Sequence, residues 1–177
     1  GIRVPNGFIV TAKAYRDFID ASGLSATIHR ELDNLDTGDI RALQAAGKAV
    51  RTAFLQVPLP ENLVDSITKA YADISNAYAT PDVDVAVRSS ATAEDLPGAS
   101  FAGEHETYLN VSGIDAVIRA TRMAMASLFN DRAISYRVDK GFSHFDVALS
   151  VGVQKMARSD KGSSGVMFTL DTETGFR

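Results

Sequence analysis

Cysteine and tryptophan are both absent from the 177 residues. Without thiols the chain has neither a disulfide framework nor a thiolate metal site, a composition that fits a cytoplasmic protein without requiring one. Long apolar runs are missing as well, and none approaches the roughly 18 to 20 residues that a helix needs to cross a bilayer. Blocks of like charge are lacking: 18 basic and 22 acidic side chains are interspersed and leave a net charge of -4. A nucleic-acid or membrane-surface binder would present a clustered basic face instead. The chain also contains neither the G-x-x-x-x-G-K-[ST] phosphate loop nor the G-x-G-x-x-G dinucleotide fingerprint. No internal repeat or low-complexity tract occurs. Gly1 is not an initiator residue, which leads us to expect chain upstream of it.

What is present is an ordinary globular mixture, 45% hydrophobic and 23% charged, long enough for one sizeable core. Pro5 and the Asn6-Gly7 pair signal a turn before a short strand over 8–10. Thr11 fits a helix N-cap, with Tyr15, Phe18 and Ile19 at helical spacing before the stop at Ser22-Gly23. A shorter helix is expected within 24–35. Ile40, Leu43, Ala46, Val50, Ala53 and Phe54 form one apolar stripe that Val57-Pro58 ends; Leu63, Ile67, Ala70, Tyr71, Ile74 and Tyr78 form another, with Pro60 in its first turn. These two helices are expected to pair antiparallel. Ile114, Val117, Ile118, Met125, Leu128 and Phe129 mark a further helix, with a continuation from Asn130-Asp131 to Gly141. The alternation of Val147, Leu149, Val151 and Val153 predicts a strand over 147–156. A hairpin turn over 159–165 would then return a partner strand over 166–170.

The stretch 85–111 is the part that looks built for chemistry. It leaves the alternating strand Val83, Val85, Val87, passes through a polar loop and enters a second strand. Arg88 stands at the transition, beside Ser89, Ser90 and Thr92. A guanidinium next to hydroxyls and backbone amides suits phosphate oxygens, whereas an ion pair with Glu94 or Asp95 would make it a loop anchor. The small-residue run 97–103 could bring backbone amides close to an anion, or form an ordinary surface excursion. Glu104 and Glu106 straddle His105, placing both carboxylates on one strand face, for a metal, a hydroxyl or plain solvent. His29, His105 and His144 are widely spaced and match no metal-ligand pattern. Gln154, Lys155 and Met156 close a strand, where unpaired backbone groups either meet a planar ligand or simply end the ladder.

Three strings, VRSSATAEDLPGASFAGEHETYLNV, SLFNDRAISYRVDKG and VQKMARSDKGSSGVMFTLDTETGF, together with the opening RVPNGFIVTAKAYRDFI, resemble the phosphoenolpyruvate synthase (pyruvate, water dikinase) family across essentially the whole chain. Pyruvate, phosphate dikinases and rifampicin phosphotransferases share looser versions of these strings. The resemblance implies an α/β fold (α+β), with mixed or antiparallel strands and packed helices: residues 1–177 as part of an ATP-grasp nucleotide-binding domain. It implies ATP and Mg2+ as cofactors and an overall conversion of ATP, pyruvate and water to phosphoenolpyruvate, AMP and phosphate. The phosphoryl group travels on a histidine of a separate swivelling domain to a pyruvate-binding barrel domain.

Carried over by motif, Arg88 contacts the ATP phosphates as the catalytic cation, Gly103 and Thr107 belong to the loop that covers them, and Gln154 with the backbone near Met156 lines the adenine pocket. The phosphate-binding lysine would lie before Gly1 and the magnesium-holding acids after Arg177, so no metal ligand is assigned here. The phosphorylated histidine would be none of His29, His105 or His144. Neither nucleic acid nor membrane is an implied partner, and a homodimer is an allowed assembly. A fragment of this kind is expected to be inactive alone, and a folded lobe without catalytic function is the reading from a different class.

Overall fold

The computed structural model describes residues 4–92, 95–96, 99–100, 106–165 and 167–176. Its elements run β1 (Gly7–Val10), α1 (Ala12–Ser22), α2 (Leu24–Leu32), α3 (Ile40–Gln56), α4 (Glu61–Ala77), β2 (Val85–Ala91), β3 (Asp95–Leu96), β4 (Ala99–Ser100), β5 (Thr107–Val111), α5 (Ile114–Ala126), α6 (Asp131–Asp139) and β6 (Leu149–Lys155). Short 3-10 turns follow α5 at Ser127–Phe129 and β6 at Ser159–Lys161. The class is α/β, as expected. Among the described residues no helix is long and apolar enough to cross a membrane.

Local chemistry sets the boundaries. The Thr11 hydroxyl accepts from the Ala14 amide at 3.2 Å, and α1 ends where Gly23 takes φ 74°, a left-handed value that costs glycine little. The Asp39 carboxylate accepts from the Arg41 and Ala42 amides at 2.9 and 3.1 Å and so caps α3. Residues 57–60 carry two prolines, and Val57 (ψ 128°) and Pro60 (ψ 140°) are both extended. This stretch acts as a spacer rather than a tight turn. The expected antiparallel pairing of α3 with α4 is therefore corrected: α3 packs on α2, α5 and α6, while α4 reaches α5 and β1. Pro60 sits at the N-cap of α4, one residue before the first turn.

β1, β6, β2 and β5 lie side by side in that order, and every pairing is antiparallel. Between β2 and β5 the ladder slips by one residue, and Asn110 on the bulged side adopts φ 55°. β3 and β4 pair antiparallel as a separate two-stranded sheet. One face of the large sheet presents Val85, Val87, Leu149, Val151 and Val153, all at 1% exposure or less, to the helices. Phe54 centres an aromatic cluster with Tyr15, Phe18 and Phe129, at ring separations of 6.3, 6.0 and 5.3 Å. Arg137 is fully buried beneath it, donating to the Leu128 carbonyl (2.6 Å) and to His144 Nδ1 (3.1 Å), with its guanidinium 5.3 Å from the Phe129 ring.

The return strand over 166–170 does not form. Val166 lies outside the described residues, and 167–170 belong to no strand, with Met167 at 88% and Phe168 at 67% exposure. The reason is topological: β6 already has β1 on one edge and β2 on the other, so a hairpin partner has no edge of β6 to join.

Candidate nucleotide site on the open sheet face

Among the described residues, no helix covers the second face of the sheet. Strand alternation sends Val85 and Val87 inward and Ala86, Arg88 and Ser90 outward. Register then assembles a row that sequence spacing alone does not reveal. Ile9 stands opposite Gly152, Gly152 opposite Arg88, and Arg88 opposite Thr107. The next row holds Gly7, Gln154 and Ala86. Arg88 and Thr107, separated by 18 loop and strand residues, are thus direct cross-strand neighbours on one face, at a distance set by the roughly 5 Å strand spacing.

Arg88 is exposed, and no acidic side chain among the described residues pairs with it. Glu94 and the side chain of Asp95, the two partners considered for a loop anchor, lie outside what is described, as does Gly103. A groove of about 310 Å³ opens along this face, bordered by Ile9, Arg88 and Gln154 with Gly152 in its floor. Ile9 is 68% exposed, so its side chain forms an apolar wall opposite the cation. The Gln154 side-chain amide donates to the Pro5 carbonyl at 3.1 Å, which ties the segment before β1 to the end of β6.

The hydroxyls flanking Arg88 have structural duties. Ser89 Oγ donates to the Glu106 carbonyl at 3.2 Å, and Thr92 Oγ1 accepts from the Ala148 amide at 3.1 Å. They hold β2 to its surroundings, and the polar side chains bordering the groove among the described residues are Arg88 and Gln154. The Glu106 carboxylate accepts from Asn130 Nδ2 at 3.4 Å, while Glu104 and His105 lie outside the described residues. His29 contacts Asp33 at 3.0 Å and lies 4.6 Å from the Phe145 ring; His144 accepts from Arg137. Burial, reinforced by Arg137, pushes the His144 imidazole down to about 4, so it is neutral at ordinary pH.

Met156 faces a different recess from Gln154. Its amide donates to the Asp84 carbonyl at 3.0 Å and its carbonyl accepts from Lys155 Nζ at 3.1 Å, so both backbone groups already have partners. Its neighbours line a recess of about 480 Å³ with Pro5, Tyr78, Lys155 and Arg158. Lys155 organises this end: its ammonium bonds Asp84 Oδ1 at 3.1 Å and lies 5.7 Å from the Tyr78 ring centroid. That hydrogen bond holds the Asp84 carboxyl below its usual range. The Lys155–Asp84 clamp and the parts played by Ile9 and Gly152 are not among the sequence-based expectations. Gly152 does leave a signal in the sequence, as a glycine on the outward phase of the alternating run LSVGVQK.

The family model for the pyruvate phosphate dikinase AMP/ATP-binding domain matches residues 1–177. The chain belongs to that family. Among its relatives, "Phosphoenolpyruvate synthase" of Pseudomonas aeruginosa is 55% identical over 177 residues, covering 100% of this chain and 22% of that protein. The Escherichia coli protein of the same name is 52% identical over 99% of this chain and 22% of its own length. "Probable phosphoenolpyruvate synthase" of Methanocaldococcus jannaschii is 46% identical over 97% of this chain and 14% of that protein. The chain thus spans about a fifth or less of the length of these members of the family.

Proposed function

We propose that this chain is the ATP-binding part of an enzyme that converts ATP, pyruvate and water to phosphoenolpyruvate, AMP and phosphate, through a phosphohistidine on a separate domain. The observation that carries the reading is the outward row Gly152, Arg88, Thr107 on a sheet face that no helix among the described residues covers, in a chain whose relatives are phosphoenolpyruvate synthases. An exposed arginine with no acidic partner among the described residues fits a polyphosphate: it supplies charge without first breaking an ion pair. Its cross-strand neighbour Thr107 adds a hydroxyl beside it on the same face; Gly103, which the resemblance assigns to the phosphate-covering loop, lies outside the described residues.

Phosphoryl transfer asks a protein for positioning and charge stabilisation rather than covalent chemistry. Arg88 orients the phosphate chain and offsets charge that builds on its oxygens. Gln154 bounds the base from the groove, while Met156, on the adjoining recess, would contribute to the base site from the far side of that strand end. A magnesium ion, if bound with the nucleotide, would supply charge neutralisation at the phosphates beside Arg88. Among the described residues the groove is lined by no carboxylate, and the acidic ligands are assigned to chain outside residues 1–177 by the resemblance alone. The chain is then one wall of an ATP-grasp site. Its partners are the swivelling phosphohistidine domain and the pyruvate-binding barrel of the same full-length protein, working in the cytoplasm.

The test is pyruvate-dependent AMP release by the full-length protein supplied with ATP and magnesium. The proposal expects AMP and phosphoenolpyruvate in equal amounts, and no product from isolated 1–177. AMP formation indifferent to pyruvate contradicts the assigned acceptor, and turnover by the isolated chain contradicts its being part of a site.

A further inference from the structure

Gly7 and Gly152 face the same open side of the sheet, but packing requires only one of them. A Cβ on Gly7 would lie 2.5 Å from the Val153 carbonyl oxygen, so β1 could not approach β6 with any side chain there. Among the described residues a Cβ on Gly152 would meet only the Arg88 carbonyl oxygen, at 3.9 Å, an ordinary contact. Nor does the backbone demand glycine, since Gly152 is not among the positive-φ positions. Glycine inside a strand is nevertheless less stable than alanine there, and it forgoes the cross-strand packing that a side chain supplies. Neither conformation nor packing explains bearing that cost at 152. What the missing side chain does provide is the floor of the groove between Ile9 and Arg88.

We propose that Gly152 is a binding residue that lets the sugar of a nucleoside triphosphate lie against the sheet, between phosphates held at Arg88 and a base held toward Gln154. The inference rests on the nucleotide reading above and adds to it the part of the ligand that this position serves. Spacing supports the assignment. Arg88 is the cross-strand neighbour of Gly152, roughly 5 Å away, and Gln154 lies two residues along the same strand, roughly 7 Å away. The portion of a nucleotide between its phosphates and its base is the sugar. Ile9, 68% exposed on the other flank, gives that sugar an apolar side wall. A branched side chain at 152 would fill the space and lift the ligand off the sheet.

The experiment compares wild type, Gly152→Ala and Gly152→Val in the full-length protein, measuring affinity for ATP and for inorganic tripolyphosphate together with the melting temperature. The expected result is an unchanged or raised melting temperature, an ATP affinity about tenfold or more weaker for Val with a smaller loss for Ala, and tripolyphosphate affinity close to wild type. ATP affinity unchanged in Gly152→Val overturns the inference, and so does equal weakening of ATP and tripolyphosphate. A lowered melting temperature in both variants shows a structural glycine and overturns it as well. Wild-type protein that binds no ATP removes the nucleotide reading and this inference together; ATP binding that depends on Arg88 but not on residue 152 removes this inference alone.

Discussion

Acid should loosen this fold through one histidine. His144 Nδ1 accepts a hydrogen bond from the buried Arg137 at 3.1 Å, an arrangement open only to the neutral ring. Burial is the larger cause of its depressed affinity for protons and the Arg137 charge the second; Asp33 opposes both. In the unfolded chain the ring titrates near 6.5 and in the folded protein near 4. The unfolded state therefore binds the extra proton first, and the contribution is complete above pH 6.5 and is lost as pH falls from there to about 4. At about 1.4 kcal/mol per pKa unit the ceiling is about 3 kcal/mol; the ring is only partly buried, and solvent screening brings the expectation to about 1–2 kcal/mol. The assay is urea denaturation at a series of pH values for wild type and His144→Gln, in which the amide can still accept from Arg137 but does not titrate in this range. Wild type should lose about 1–2 kcal/mol more than the variant between pH 7 and pH 4.5. Parallel curves across that window would refute the reasoning.

Two substitutions test the supports of the open face. Gly7→Ala sets a methyl group 2.5 Å from the Val153 carbonyl and should cost about 1–3 kcal/mol, with loss of amide protection in β1 and β6 by hydrogen exchange; unchanged protection would show that β1 is not held where described. Lys155→Met keeps the volume of the stem but removes the bonds to Asp84 and to the Met156 carbonyl, at a cost of about 1–3 kcal/mol. Stability equal to wild type would mean that the clamp contributes nothing.

Much of the architecture is legible in the amino-acid order itself, because helices and half-buried strands write their period into the chain. The stripe through Leu43, Ala46, Val50 and Phe54 and the alternation of Leu149, Val151 and Val153 both reappear as buried faces. Pairing between distant elements is less visible. Nothing local in 166–170 says that both edges of β6 are taken, and nothing in the two helical stripes says that residues 57–60 carry α4 away from α3. The same limit applies to the site. Arg88 stands out in the sequence where the valine alternation gives way to hydroxyl residues, although β2 in fact runs on to Ala91; its adjacency to Thr107 and Gly152 is a matter of register, which depends on the bulge at Asn110 and on β6 inserting between β1 and β2. The hydroxyls of Ser89 and Thr92 have the look of ligand groups in the sequence, yet each is occupied by a backbone partner that lies far along the chain.

The central claim is that Arg88 on the open sheet face handles the phosphates of ATP. Its most direct test is ATP-dependent histidine phosphorylation by the full-length protein carrying Arg88→Ala, with the melting temperature recorded alongside. Loss of one charged donor at a developing phosphoryl charge should slow phosphohistidine formation about 10²- to 10³-fold. Because Arg88 is exposed, the fold should melt as wild type does. Phosphohistidine formation at a near-normal rate in a folded Arg88→Ala protein would contradict the account.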